Sequence, residues 1–285
     1  MEEYIYSFPE TWQFKIETAI DDAVKTFSRN HRDILNIIRD VVIDAVQGIS
    51  RLLTITPWFV LILTVIILGY IVSKKIKVGL MYGAMLFFIG AGGMWEHMIQ
   101  TVSIVTTAVI ISLILGFPVG ILIAMSKRAE SIIRPILDLM QTMPAFVYLV
   151  PAVLLFNLGT MPALLATVVY SIVPMIRMTC HGIIHVDKEV QEAAIAFGST
   201  KMQALLKVLI PQAIPTIMTG VNQTIMMAMS MVVTCSIIGA EGLGLDILLA
   251  TNRTEMGKAL LPGIAIVIIA IIFDRLTQGL IKKNE

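Results

Sequence analysis

Charge is scarce in this chain: Asp, Glu, Lys and Arg supply 14% of its 285 residues, and the net charge is +1. So little charge gives no basic field for nucleic acid and too little polar surface for a water-soluble fold of this length. Cysteine is nearly missing. Cys180 and Cys235 both lie in apolar runs without metal-ligand spacing, which excludes a disulfide framework and reads as two small buried hydrophobes. His97, His181 and His185 are too scattered to suggest a metal site, and no Ser/His/Asp or Cys/His arrangement emerges from spacing. No Gly-x-x-x-x-Gly-Lys-Ser/Thr loop occurs. Gly242-Leu-Gly244 lacks the lysine, so the chain does not bind ATP by that route and is expected not to be an enzyme. Acidic Glu2, Glu3 and Glu10 stand where a signal peptide carries positive charge, and the first long apolar run begins near Pro57, so no cleaved signal is expected.

What is abundant is apolar sequence. Hydrophobic residues make up 57% of the chain and the mean hydropathy is +0.86. Several runs reach the length that crosses a bilayer. The expected fold class is all-α integral membrane, with about seven spans near residues 57–73, 78–95, 98–125, 136–158, 161–181, 214–239 and 259–281. Basic clusters fix the orientation by the positive-inside rule. Lys74, Lys75 and Lys77 follow the first span, Lys127, Arg128 and Arg134 the third, Arg177, Lys188, Lys201 and Lys207 the fifth, and Lys282 and Lys283 the last. These place the N-terminus outside and the C-terminus in the cytoplasm. The mixed segment from Ala240 to Glu255 then lies outside, as a short re-entrant or surface helix. Pro144, Pro151 and Pro174 interrupt the fourth and fifth spans; they line a moving pathway or simply kink the helices.

Residues 1–56 form a separate amphipathic region. Ile34, Leu35, Ile38, Val41, Val42, Ala45, Val46, Ile49 and Leu52 recur at helical spacing, with Arg32, Asp33, Arg39, Asp40, Asp44 and Arg51 largely opposite. Such a helix lies in the membrane interface or packs as a scaffold on the rest of the chain. Residues 57–97 then hold the first two spans and residues 98–285 the core.

Between the fifth and sixth spans, at about 186–212, runs a polar, helix-forming island. Glu192, Ala193 and Ala194 are followed by Gly198 and then by Leu209-Ile210-Pro211. Small side chains let a helix approach a partner closely, Glu192 offers a charge for docking, and Gly198 permits a sharp turn. This pattern resembles the cytoplasmic coupling loop of ABC importer permeases. Further strings are similar to the permease subunit of the glycine betaine/proline-type importers: Gln141-Thr-Met-Pro-Ala-Phe-Val-Tyr-Leu-Val-Pro151, Pro215-Thr-Ile-Met-Thr-Gly-Val-Asn-Gln-Thr224, Ser230-Met-Val-Val233, Gly242-Leu-Gly244 and Asp274-Arg-Leu-Thr-Gln278. Together they cover about Met98 to the C-terminus; Thr234-Cys235-Ser236 departs from the small or branched apolar residues expected there.

The resemblance implies a permease in the cell membrane, paired with a second copy of itself. It implies a separate ABC ATPase that binds ATP and Mg, an external substrate-binding protein, and a quaternary ammonium osmolyte such as glycine betaine, or proline, as cargo. The coupling residues would be Glu192, Ala193, Ala194, Gly198 and Pro211. Aromatic faces hold such cations, so Phe146, Tyr148, Phe156 and Tyr170 are candidate pathway residues, with flexible Met227 beside them. Asn222 and Gln223 are polar groups in an apolar span that face the pathway or bind a neighbouring helix. An ATP-independent secondary transporter or channel, or an ABC importer for another amino acid or amine, are the competing readings.

Overall fold

The computed structural model describes residues 17–282; Glu2, Glu3 and Glu10, the start of the 1–56 region and Lys283 lie outside the described residues. Among those described there are helices and no strands. In chain order they are α1 Glu17–Asn30, α2 Arg32–Ile55, α3 Trp58–Ser73, α4 Ile76–Ala91, α5 Trp95–Met125, α6 Lys127–Thr142, α7 Leu149–Phe156, α8 Thr160–Ile184, α9 Lys188–Ala196, α10 Lys201–Ala204, α11 Ile210–Thr234, α12 Leu243–Asn252 and α13 Met256–Lys282.

Four continuous helical stretches are long and apolar enough to cross a membrane: α5, α8, Lys201–Ile238 and α13. Two bent pairs, α2 with α3 at 98° and a pair built on α6 and α7 at 115°, bring the number to six. The expected count of seven is not reached on length and apolarity alone, because α4 has 16 residues where a span needs roughly 20.

The fourth expected span, 136–158, is not one helix. Pro144 lacks an N–H and forces Met143 into extended backbone (φ −69°, ψ 132°), so α6 stops and the chain restarts through a 3₁₀ turn, Ala145–Tyr148, into α7. The Tyr148 hydroxyl donates to the Met140 carbonyl across the bend. Trp95 opens α5 rather than closing the second span.

Close helix approaches rest on glycine and small polar residues, as expected where lipid removes the hydrophobic drive between helices. A Cβ at Gly120 would lie 2.6 Å from Thr179 Cβ, and one at Gly220 2.7 Å from Met178 Cβ, so α8 sits tightly between α5 and α11. Ser112 and Ser171, both fully buried, place their hydroxyls 3.1 Å apart across α5 and α8. The same logic closes the α3–α4 hairpin, where a Cβ at Gly79 would meet the Ile66 carbonyl oxygen at 2.4 Å.

The amphipathic region has two apolar faces. Val46 is buried in the main core, with Val42 and Leu53 packed partly against it, whereas Ile34, Ile37, Ile38, Val41 and Leu52 are exposed. Arg39, Ile43, Val46 and Ser50 share a cavity with Gln100, Ile104, Thr160, Met161 and Glu241. These partners belong to the starts of α5 and α8 and the approach to α12, so α2 lies across the end of the bundle opposite the 185–200 loop.

Candidate coupling surface and transport cavity

The polar island folds as a helix with an engineered stop. Asp187 caps α9, its Oδ1 accepting the Glu189 N–H at 3.0 Å. At the other end Gly198 adopts φ +78°; its N–H donates to the Ile195 carbonyl (2.9 Å), and that of Ser199 to the Ala194 carbonyl (3.1 Å). This paired bonding is a Schellman motif, with glycine at the left-handed position. Two residues later a capping box restarts the chain: Gln203 N–H donates to Thr200 Oγ1 (3.3 Å), and Thr200 N–H to Gln203 Oε1 (2.9 Å).

From Thr200 the helix runs on through α10 and a π turn, Leu205–Leu209, into α11, so the loop ends near 200 rather than 212. Pro211 therefore lies just past the π turn inside one continuous helical stretch, where its missing N–H removes a bond to the preceding turn. The expected docking residues separate. Glu192 and Ala193 are exposed, while Ala194 is turned inward and only 9% exposed. Phe197, which the residue pattern did not single out, is 91% exposed, with Ile195 at 67% beside it. Its signal was an aromatic just before a helix-ending glycine in a loop between apolar runs. An apolar ridge so open to water is what a partner surface would cover.

The expected pathway residues do not form one site. Tyr148 and Tyr170 meet edge to face with centroids 5.7 Å apart, and Phe146 is exposed at the nearby bend. Phe156 lies instead at the α2 end of the bundle, in a pocket with Arg29, Arg32 and Asn157. Asn222 turns towards α13, its Nδ2 donating to Asp274 Oδ1 at 2.8 Å. Gln278 Nε2 donates to the same oxygen at 2.7 Å, which ties together two strings quoted above. Gln223 is exposed and Met227 half-buried, while Met229 and Met231 are buried and fill space.

A cavity of about 640 Å³ between α6, α8 and α11 was not anticipated. Glu130, Arg134, Arg177, Cys180, His181, His185 and Thr219 line it. Arg177 Nη2 donates to Asp138 Oδ1 at 2.5 Å, and Arg134 Nη1 to Glu130 Oε1 at 3.3 Å. The His181 and His185 rings lie 3.9 Å apart, centroid to centroid, as neighbours one turn apart on one helix face, while His97 is at the other end of the bundle. The sequence signal is an arginine and two histidines at four-residue spacing at the end of an apolar span. Among the described residues no group of three His, Cys, Asp or Glu side chains could hold a metal, and both cysteines are free.

At the opposite end, α12 is fixed to the start of α5. Leu243 N–H donates to Thr101 Oγ1 at 2.9 Å, Gln100 Nε2 to Glu241 Oε2 at 3.2 Å, and His97 Nδ1 pairs with Asp246 Oδ2. Gly242 (φ +112°) lets the backbone approach, since a Cβ there would sit 2.4 Å from Thr101 Oγ1.

Residues 116–284 match the family described as binding-protein-dependent transport system inner membrane component. The chain is 45% identical over 266 residues to the glycine betaine/carnitine transport permease protein GbuB of Listeria monocytogenes, covering 93% of each. It is 40% identical over 270 residues to the glycine betaine/proline betaine transport system permease protein ProW of Escherichia coli, covering 95% of this chain and 76% of that one. In fold it is similar to a chain of the MetNI methionine ABC transporter solved in inward-facing conformations, with TM-score 0.59 and 18% identity over 65% of this chain and 93% of that one.

Proposed function

Because this chain belongs to the family of binding-protein-dependent transport system inner membrane components, and is thus a transport permease subunit, we propose that it conducts glycine betaine, proline or a related quaternary ammonium osmolyte inward at the expense of ATP. The observation that carries the substrate class is the 45% identity to the glycine betaine/carnitine permease across 93% of both chains.

ATP is hydrolysed, with Mg, on a separate ATPase subunit. That subunit receives α9 and its exposed Phe197, with Glu192, Ala193 and Gly198 shaping the docking surface, Ala194 holding α9 to its own bundle and Pro211 setting the entry to α11. A binding protein delivers cargo from outside, and two copies of the permease enclose the pathway, to which Phe146, Tyr148, Tyr170, Gln223 and Met227 contribute. Seven crossings, with α3 and α4 as the first two, put residue 17 outside and the end of α13 in the cytoplasm. Residues 1–56 act as a scaffold, 57–97 as two peripheral spans and 98–285 as the conducting core.

Proteoliposomes holding the permease, its ATPase and enclosed ATP test this. Uptake of labelled glycine betaine that depends on the binding protein is expected. Uptake without ATP or binding protein would favour a secondary transporter, and uptake of an unrelated amino acid alone would reject the substrate class.

A further inference from the structure

The cavity between α6, α8 and α11 lies beside the end of α8 from which the 185–200 loop departs, so under the proposed topology it faces the cytoplasm. It holds more charge than a cavity among apolar helices retains without use. Of its two arginines, Arg134 pairs with Glu130 on the cavity wall, and Arg177 reaches out of the cavity to the exposed Asp138 of α6, so both signs line the same open cleft. The Arg177 pair is incomplete. A guanidinium donates through several N–H groups and suits a two-point carboxylate, but Asp138 takes only Nη2, and Nε is buried without an acceptor. Burying such a donor unpaired is unfavourable, so an incoming carboxylate that shares Arg177 gains what Asp138 leaves unused. Glu130, on the cavity wall and held only by the 3.3 Å contact to the exposed Arg134, offers its carboxylate to a positive group on the same molecule.

We propose that this cavity is an exit-side binding site for a small zwitterion, its carboxylate received by Arg177 and its quaternary ammonium facing Glu130. The inference rests on the substrate class proposed above and adds that the permease itself, not only the binding protein, recognises the carboxylate.

Cys180 lines the cavity and is half-buried, whereas Cys235 is fully buried, so alkylation of the native protein reports on the cavity. The assembled importer in proteoliposomes is treated with a membrane-permeant maleimide, with Cys180→Ser as the labelling control. Glycine betaine is expected to slow alkylation severalfold, acetate less, and choline, which lacks the carboxylate, hardly at all. Arg177→Gln should abolish the difference between betaine and choline while Cys180 still reacts; if that variant does not assemble, the comparison of the three ligands on the wild-type protein decides. Equal protection by choline and betaine, or none by either, overturns the site. Uptake measured on the same vesicles separates the two claims: normal betaine uptake without protection rejects only the cavity site, whereas absent betaine uptake rejects the substrate class.

Discussion

Asn222 of α11 and Asp274 of α13 are joined by a 2.8 Å hydrogen bond, and Gln278 donates to the same carboxylate oxygen. A carboxylate between two amides explains why these polar residues interrupt otherwise apolar helices. Asp274→Ala strands both amides, and leaving a buried donor unpaired costs about 1–3 kcal/mol. The expected result is a lower thermal unfolding midpoint in detergent, partly restored in Asn222→Leu/Asp274→Leu, where of the three only Gln278 is left unpaired. An unchanged midpoint in Asp274→Ala would show that the network does not hold these helices together.

Thr101 fixes the start of α12 through the Leu243 N–H. Thr101→Val keeps the shape and removes the acceptor. Faster amide hydrogen exchange at residues 242–246 is expected, with α8 and α11 unaffected. Exchange unchanged at Leu243 would mean that the His97–Asp246 and Gln100–Glu241 pairs suffice.

Phe197 and Gly198 adjoin in sequence and should behave differently. Phe197 is 91% exposed, so Phe197→Ala should leave the unfolding midpoint unchanged and sharply reduce both uptake and binding-protein-stimulated ATP hydrolysis. Nothing lies within 4 Å of a Cβ at Gly198, but its φ of +78° penalises any side chain by about 1–2 kcal/mol. Gly198→Val should therefore unwind the end of α9 and uncouple hydrolysis from uptake. Full uptake in both variants would remove the loop from the coupling role.

The apolar runs and their basic flanks were legible because composition alone dictates membrane residence, and the polar stretch from Asp187 to Gly198 announced a short helix ended by a turn. Other features depended on three-dimensional relations that no spacing encodes. Pro144 and Pro174 look alike in sequence. Yet the first ends α6 and the second sits inside a continuous α8, because neighbouring helices enclose the latter on both sides. Spacing alone fits Asn222 to the pathway or to a helix contact; its acceptor is Asp274, 52 residues away. Arg177 and His181 are visible as residues, but the cavity they line is made with α6 and α11, and α6 departs from α7 by a 115° bend that no spacing encodes.

Orientation can be checked directly. Single cysteines at Lys75 and Lys201 should react with a membrane-impermeant reagent only when the cytoplasmic face is open, and one at Asp246 only from outside, because the basic clusters follow spans of the same direction. Cytoplasmic labelling at Asp246 would overturn the seven-crossing topology.

The two apolar faces of α2 yield the most discriminating prediction. Val46 is 8% exposed and belongs to the core, whereas Ile37 is 63% and Val41 64% exposed on the other side of the same helix. A charge at Val46 must be buried or the helix must leave, so Val46→Asp should lower the unfolding midpoint in detergent, where no bilayer contributes. A charge at Ile37 or Val41 meets no protein, so those variants should unfold normally in detergent. Their deficit should appear only in a bilayer, where interfacial helices bind through buried apolar area and attraction to anionic lipid. An environment-sensitive fluorophore on a cysteine at Ile34 should therefore report a drier setting in anionic vesicles than in detergent, and lose that difference in Val41→Asp. A fluorophore equally wet in both would mean that the outer face of α2 is turned to water, leaving α2 as a scaffold held through Val46, Val42 and Leu53.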